Sequence, residues 1–169
     1  MIHKNVITEF CRRSHTPEIA GSAFIHPLAA VIGNVNIGNR VMVAPFASIR
    51  GDEGQPIYIG DESNVQDGVV IHGLKTEENG RPLEDNNVQD SSRQFSVYIG
   101  KKVSLAHQVQ IHGPAFVGDD TFVGMKSLLF KAKVGNGCVI EPCCMLIGVV
   151  LKDGVYVPAG TVLREQKIA

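Results

Sequence analysis

The stretch IGKKVSLAHQVQIHGPAFVGDDTFVGMKSL, from Ile99 to Leu128, decides the fold. Read in sixes, its hexads open on Ile99, Leu105, Ile111, Val117 and Val123. Four residues after each opening stand Val103, Val109, Ala115, Thr121 and Ser127. The first position is always aliphatic and the second small or β-branched. Working outward, the same beat runs back through Ile71, Val65 and Ile59, and before them Ile49, Val43, Ile37, Val31 and Ile25. It runs forward to Leu129 and restarts one residue early at Val134, Ile140 and Leu146. The second position continues at Ala29, Val35, Val41, Ala47, Ser63, Val69, Cys138 and Cys144. A sustained six-residue repeat of this kind is the signature of a parallel β-helix. Each hexad is one short strand and a corner, and its aliphatic and small positions point inward while the others face outward.

Two insertions break the beat. The first, Gly51 to Pro56, is short. The second, about 73–96, carries Glu77, Glu78, Glu84, Asp85 and Asp90. A loop that long is either functional or a solvated flap.

The bulk numbers exclude several classes. The 169 residues fit one domain, 1–169, and 44% hydrophobic content is ample for a core. A net charge of −1 leaves no basic footprint for nucleic acid. No apolar run is long enough to span a bilayer. Met1 to Phe10 lack a basic-then-apolar signal pattern, so a cytoplasmic location is the expectation. The four cysteines have no zinc-ribbon spacing. Cys138 and Cys144 fall on the inward small position, Cys143 points the opposite way, and no structural disulfide is expected. Cys11 lies before the repeat and has no address in it.

The beat resembles that of the hexapeptide-repeat family. That resemblance implies three hexads per triangular coil and a left-handed wind, against the usual right-handed crossover preference. Equivalent positions then stack from coil to coil, roughly 4.8 Å apart. His72 and His112 each follow the inward aliphatic of their hexad, three hexads apart once the insertion is skipped. Arg50 holds the same position one coil earlier. The expectation is an outward column of Arg50, His72 and His112. His107 sits on a different part of the outer surface, with Asp67 beneath it. Two stacked histidines leave a tetrahedral metal short of ligands. A histidine from a symmetry-related subunit would complete the three-ligand arrangement of catalytic zinc. His3, His15 and His26 show no convergent spacing and read as surface or packing residues.

Together the stretches Arg50-Gly-Asp-Glu53, Asn64-Val-Gln66-Asp67-Gly68, His72-Gly73, Ser104-Leu-Ala-His107 and His112-Gly-Pro114 resemble the γ-class carbonic anhydrases. The resemblance covers about Ile25 to Leu163. It implies a homotrimer with a metal at each subunit interface, held by His72 and His112 of one subunit and His107 of its neighbour. The metal would be zinc, or ferrous iron under anoxic conditions. Arg50 would pair with Asp67 across the interface and help bind bicarbonate. Asn64 and Gln66 would hold water and substrate by hydrogen bonds, and Glu53 would assist proton transfer. The implied reaction is reversible hydration of carbon dioxide to bicarbonate and a proton by metal-bound hydroxide. It would use a metal that lowers the pKa of bound water from about 15.7 to about 7.

Two features depart from the family pattern. Characterised archaeal members carry a proton-shuttle glutamate three residues after the first ligand histidine, where this chain has Lys75. Lysine ordinarily titrates near about 10.4 and is a poor relay. After Tyr156-Val-Pro158-Ala-Gly160 relatives continue into a C-terminal helix. Here only Val162 to Lys167 is available, so little or no such helix is expected. Two other readings stand beside the enzyme: a non-catalytic bicarbonate-binding or scaffold member of the family, such as those of carboxysome shells, and a hexapeptide acyltransferase. Fold alone does not separate the three.

Overall fold

Apolar residues spaced six apart all become buried only if the chain coils on itself. In the computed structural model, which describes residues 1–165, it does so. Short strands stack into three parallel sheets, one of eight strands and two of seven, each forming one face of a left-handed β-helix. A typical turn runs through Asn64–Val65 on the third face, Val70–His72 on the first and Val97–Ile99 on the second. The only helical element among the described residues is a 3-10 turn at Glu84–Asn86.

The inward positions are those of the repeat. Val31, Ile49, Ile71, Ile111, Leu129 and Leu146 form one column through the axis, at most 1% exposed. The small positions are equally buried, Ser63, Thr121 and Ser127 included. These hydroxyls are tolerated because each is satisfied. Ser63 Oγ donates to the Gly100 carbonyl at 2.9 Å and accepts from the Val103 N–H at 3.0 Å. Cys138 and Cys144 are buried, Cys143 is exposed, and all four cysteines are free thiols.

Corners between the second and third faces carry a side-chain ladder. The carboxylates of Asp61, Asp119 and Asp153 and the amide oxygen of Asn136 each accept from a backbone N–H one coil away, at 2.7 to 2.8 Å. The glycines preceding these turns leave room for it, since a Cβ on Gly100 would lie 2.3 Å from Asp119 Oδ1.

Both insertions leave the first face on adjacent coils, after Ser48–Gly51 and after Val70–His72. Both rejoin the second face in register, with Ile57 opposite Val97. The larger one is built rather than loose. It contains two antiparallel hairpins, Glu77–Glu78 with Arg81–Pro82 and Val88–Asp90 with Arg93–Phe95. Val88 and Phe95 are buried, and Phe95 meets Tyr98 edge to face at 5.3 Å. Tyr58, Tyr98 and Phe116 stack along the second face at 5.2 and 4.8 Å. Burial there pushes the Tyr98 phenol up to about 12.

The tail agrees with the expectation of little or no C-terminal helix: Val162–Arg164 is the last strand of the first face, pairing with Met145–Ile147. Leu163 prolongs the inward column above Leu146, so burial favours one more strand. The rest of that segment, Gln166 and Lys167, lies outside the described residues. At the other end the chain folds into an arm around Asn5. Its amide donates to the Arg13 carbonyl at 2.9 Å, and its oxygen accepts from the His15 N–H at 2.7 Å.

Candidate metal centre

Strand pairing places the predicted column. His72 lies opposite Arg50 on one side and His112 on the other. Phe130 follows above His112. Their side chains point outward because Ile49, Ile71 and Ile111, their immediate neighbours, point in. The two imidazoles meet edge to face, and Arg50 Nη2 lies 3.1 Å from His72 Nε2.

The first insertion supplies the carboxylates. Asp52 Oδ1 is 2.9 Å and Glu53 Oε1 3.6 Å from His72 Nε2. Asp52, Glu53 and His72 are the one group among the described residues whose donor atoms converge as metal ligands do. The second insertion steadies the first: Thr76 donates its N–H and its hydroxyl to the Glu53 carbonyl, at 2.8 and 2.7 Å. Thr76 Oγ1 in turn accepts from the Gln55 N–H at 2.7 Å. The two off-beat segments therefore lock each other beside the histidines.

Asp52 was missed as a site residue by sequence reasoning. Its one signal was its place between Arg50 and Glu53. It sits off the beat, so the repeat assigns it no direction.

Electrostatics differ across the cluster. The hydrogen bond to His72 holds the Asp52 carboxyl below its ordinary range, helped by Arg50. Burial pushes Glu53 up, making it a better proton acceptor than a solvated carboxylate. Burial pushes His112 down and so favours its neutral ring. His112 Nδ1 lies 3.3 Å from the Gly113 carbonyl, which can only accept. The proton is then on Nδ1, and Nε2 keeps its lone pair. His72 Nε2 is oversubscribed, facing a guanidinium donor and two carboxylates at once. A cation at that nitrogen would draw in both carboxylates and displace the guanidinium. The residues present thus fit a metal of the kind that takes imidazole ligands.

His107 stands elsewhere. It follows Ser104–Leu105 on the third face, at the corner leading to the first, and its Nδ1 is 3.2 Å from Asp67 Oδ2. Asn64 and Gln66 lie with them on the strand and corner one coil before, Gln66 Nε2 being 3.4 Å from Ser104 Oγ. The sequence-derived residues therefore divide into two half-sites. Arg50, His72 and His112 share the first face with Glu53 beside them in the first insertion, and Asn64, Gln66, Asp67 and His107 share the third face and its corner. Lys75, in the second insertion, is ion-paired with Glu78, which pushes its ammonium pKa up.

Coil, column and carboxylates define the class: a hexapeptide-repeat β-helix protein with histidines and carboxylates gathered beside one face. No family model matches the chain. It is 55% identical over 166 residues to a carbonic anhydrase of Methanosarcina thermophila, covering 98% of this chain and 67% of that one. It is 45% identical to a carboxysome assembly protein of a Nostoc species, covering 96% of this chain and 28% of that one. A mitochondrial gamma carbonic anhydrase of Arabidopsis thaliana is 30% identical over 95% of this chain and 50% of its own length. Among solved structures, an acetyltransferase assigned as such in Bacillus cereus aligns with a TM-score of 0.61 at 28% identity, over 92% of this chain and 77% of that one. The chain belongs to the γ-class carbonic anhydrase family.

Proposed function

We propose that this chain is a metal-dependent carbonic anhydrase, interconverting carbon dioxide and bicarbonate at sites shared between the subunits of a homotrimer. The observation that carries this is the pairing of His72 with His112 on one face while His107 lies on another. The two half-sites are complementary in content. One offers two imidazoles, a guanidinium and carboxylates, the other an imidazole, two amides and Asp67. Joining one chain's first face to another's third face assembles three imidazoles. What supports such a junction is the apolar surface around His107. Phe46 and Met125 are exposed at that corner, and Phe24, Phe122 and Tyr156 are exposed along the third face. A neighbour covering them would gain by burial.

In this reading His72, His112 and the neighbour's His107 hold the metal, zinc or, without oxygen, ferrous iron. When bound, the metal supplies the Lewis acidity that makes water a nucleophile at neutral pH. The chain's own groups do the rest. Arg50 presents a fixed guanidinium to the bicarbonate anion and pairs with the neighbour's Asp67. Asn64 and Gln66 hydrogen-bond water and substrate. Glu53, raised by burial, takes the proton released as water adds to carbon dioxide. The net change is water plus carbon dioxide to bicarbonate plus a proton that must reach solvent.

The kinship with a carboxysome assembly protein favours a second reading, a scaffold that binds bicarbonate without turnover. The acyltransferase reading has only the shared fold behind it. Stopped-flow hydration of carbon dioxide by anaerobically purified, metal-analysed protein decides. Turnover with metal bound in a trimer is expected. A fully loaded trimer without turnover would favour the scaffold, and a metal-loaded monomer in sedimentation equilibrium would overturn the shared site.

A further inference from the structure

The first face begins one strand earlier than the repeat suggests. Ile2–His3 pairs with Ala30–Gly33, His3 opposite Ile32, and Ile32 lies opposite Arg50. His3 therefore stands on the same outward column as Arg50, His72 and His112. Sequence reasoning read it as a surface or packing residue because the three N-terminal histidines show no convergent spacing. A cavity of about 490 Å³ opens beside it. Its outer wall is the N-terminal arm, with His3, Lys4 and Phe10; its inner wall carries Arg50, Asp52 and Glu53. His3 is exposed and lines the same cavity as Asp52 and Glu53, the carboxylates touching His72.

We propose that His3 is the proton relay of the site, passing the proton of each hydration from the inner end of this cavity to bulk solvent. The proposal rests on the carbonic anhydrase reading. Each turnover leaves one proton to export, and an imidazole suits the task because one ring nitrogen accepts a proton while the other releases one. No redox partner is needed. Lys75, in the second insertion, is ion-paired with Glu78, which tightens its grip on its own proton. The charged groups facing the cavity are Lys4 from the arm and Arg50, Asp52 and Glu53 from the inner wall.

The test compares metal-loaded wild type with His3→Ala and His3→Gln. In weak buffer both variants should lose about five- to tenfold in kcat, with kcat/KM changed by less than about twofold. Added imidazole should restore kcat. A readout independent of turnover uses metal-free protein: the His3 ring resonance in NMR should shift in Asp52→Asn and in Glu53→Gln, since the three side chains share one cavity. Full kcat in weak buffer for both variants, an equal loss in kcat and kcat/KM, or a His3 resonance indifferent to both carboxylates would overturn the relay. Wild type that binds metal without hydrating carbon dioxide would overturn the enzyme reading itself. Active wild type with unaffected His3 variants would overturn the relay alone.

Discussion

His72 and His112 stand edge to face, ring centroids 5.3 Å apart and planes at 87°. Their spacing is set by strand pairing one coil apart, and not by packing of the rings themselves. Removing a ring leaves that ladder intact. His112→Ala should therefore abolish stoichiometric metal binding, read by elemental analysis after dialysis. The metal-free variant should unfold within about 1 kcal/mol of wild type in urea. A full metal complement in the variant would show that His112 is not a ligand.

The division into half-sites predicts complementation. His107→Ala and His72→Ala proteins should each lack metal. Unfolded together in equal amounts and refolded, they form mixed trimers in which a His107→Ala chain meets a neighbour with an intact His107. Random assembly makes about three-quarters of the trimers mixed, each with one native site of three, so activity should return to about a quarter of wild type. Activity that stays at the level of the separate variants would place His107 within the site of its own chain, or outside the site.

Lys75 is ion-paired with Glu78, three residues on, and holds its proton more tightly for it. Lys75→Glu removes that cation and adds a carboxylate. In weak buffer kcat should rise about two- to tenfold while kcat/KM stays nearly constant, because proton export follows bicarbonate release. Stopped-flow measurements across a buffer series separate the two parameters. An equal fall in both would mean that Lys75 holds the hairpin or the anion.

The corner ladder ranks glycine substitutions. A Cβ on Gly100 would lie 2.3 Å from Asp119 Oδ1 and 2.8 Å from the Asp119 backbone nitrogen. Gly154, at φ +70°, has nothing within 4 Å of such a Cβ. Gly100→Ala should cost about 2 to 3 kcal/mol by overpacking, Gly154→Ala about 1 kcal/mol by backbone strain alone. Urea midpoints at unchanged slope give the order. A larger loss at Gly154 would contradict the steric argument.

Tyr98 predicts an alkaline limit. Its folded-state pKa is raised from 10.0 to about 12, chiefly by burial. The neutral phenol is the form the fold favours. Its contribution to stability is thus fully present below about pH 10 and is lost as pH rises through about 12. Denaturant midpoints between those values should fall less steeply in Tyr98→Phe, and ultraviolet titration should show one tyrosine ionising last.

The coil, the inward columns and the placing of His72 beside His112 were legible in the chain alone. The six-residue period marks the inward positions, and the resemblance to hexapeptide-repeat proteins supplies the three hexads per coil that stack His112 on His72. Both insertions rejoin at Ile57 and Val97 without shifting that register. What lies off the beat had no direction in the repeat: Glu53 was named only through the resemblance, and Asp52 was not named at all. Asp52 and Glu53 reach His72 because Thr76, more than twenty residues away, hydrogen-bonds the Glu53 backbone. His3 joins the column through a strand that precedes the repeat, and Asn5 closes the arm behind it by binding Arg13 and His15. Periodicity orients only residues inside the repeat. Segments outside it take their positions from contacts between distant parts of the chain, which form only once the coil is wound.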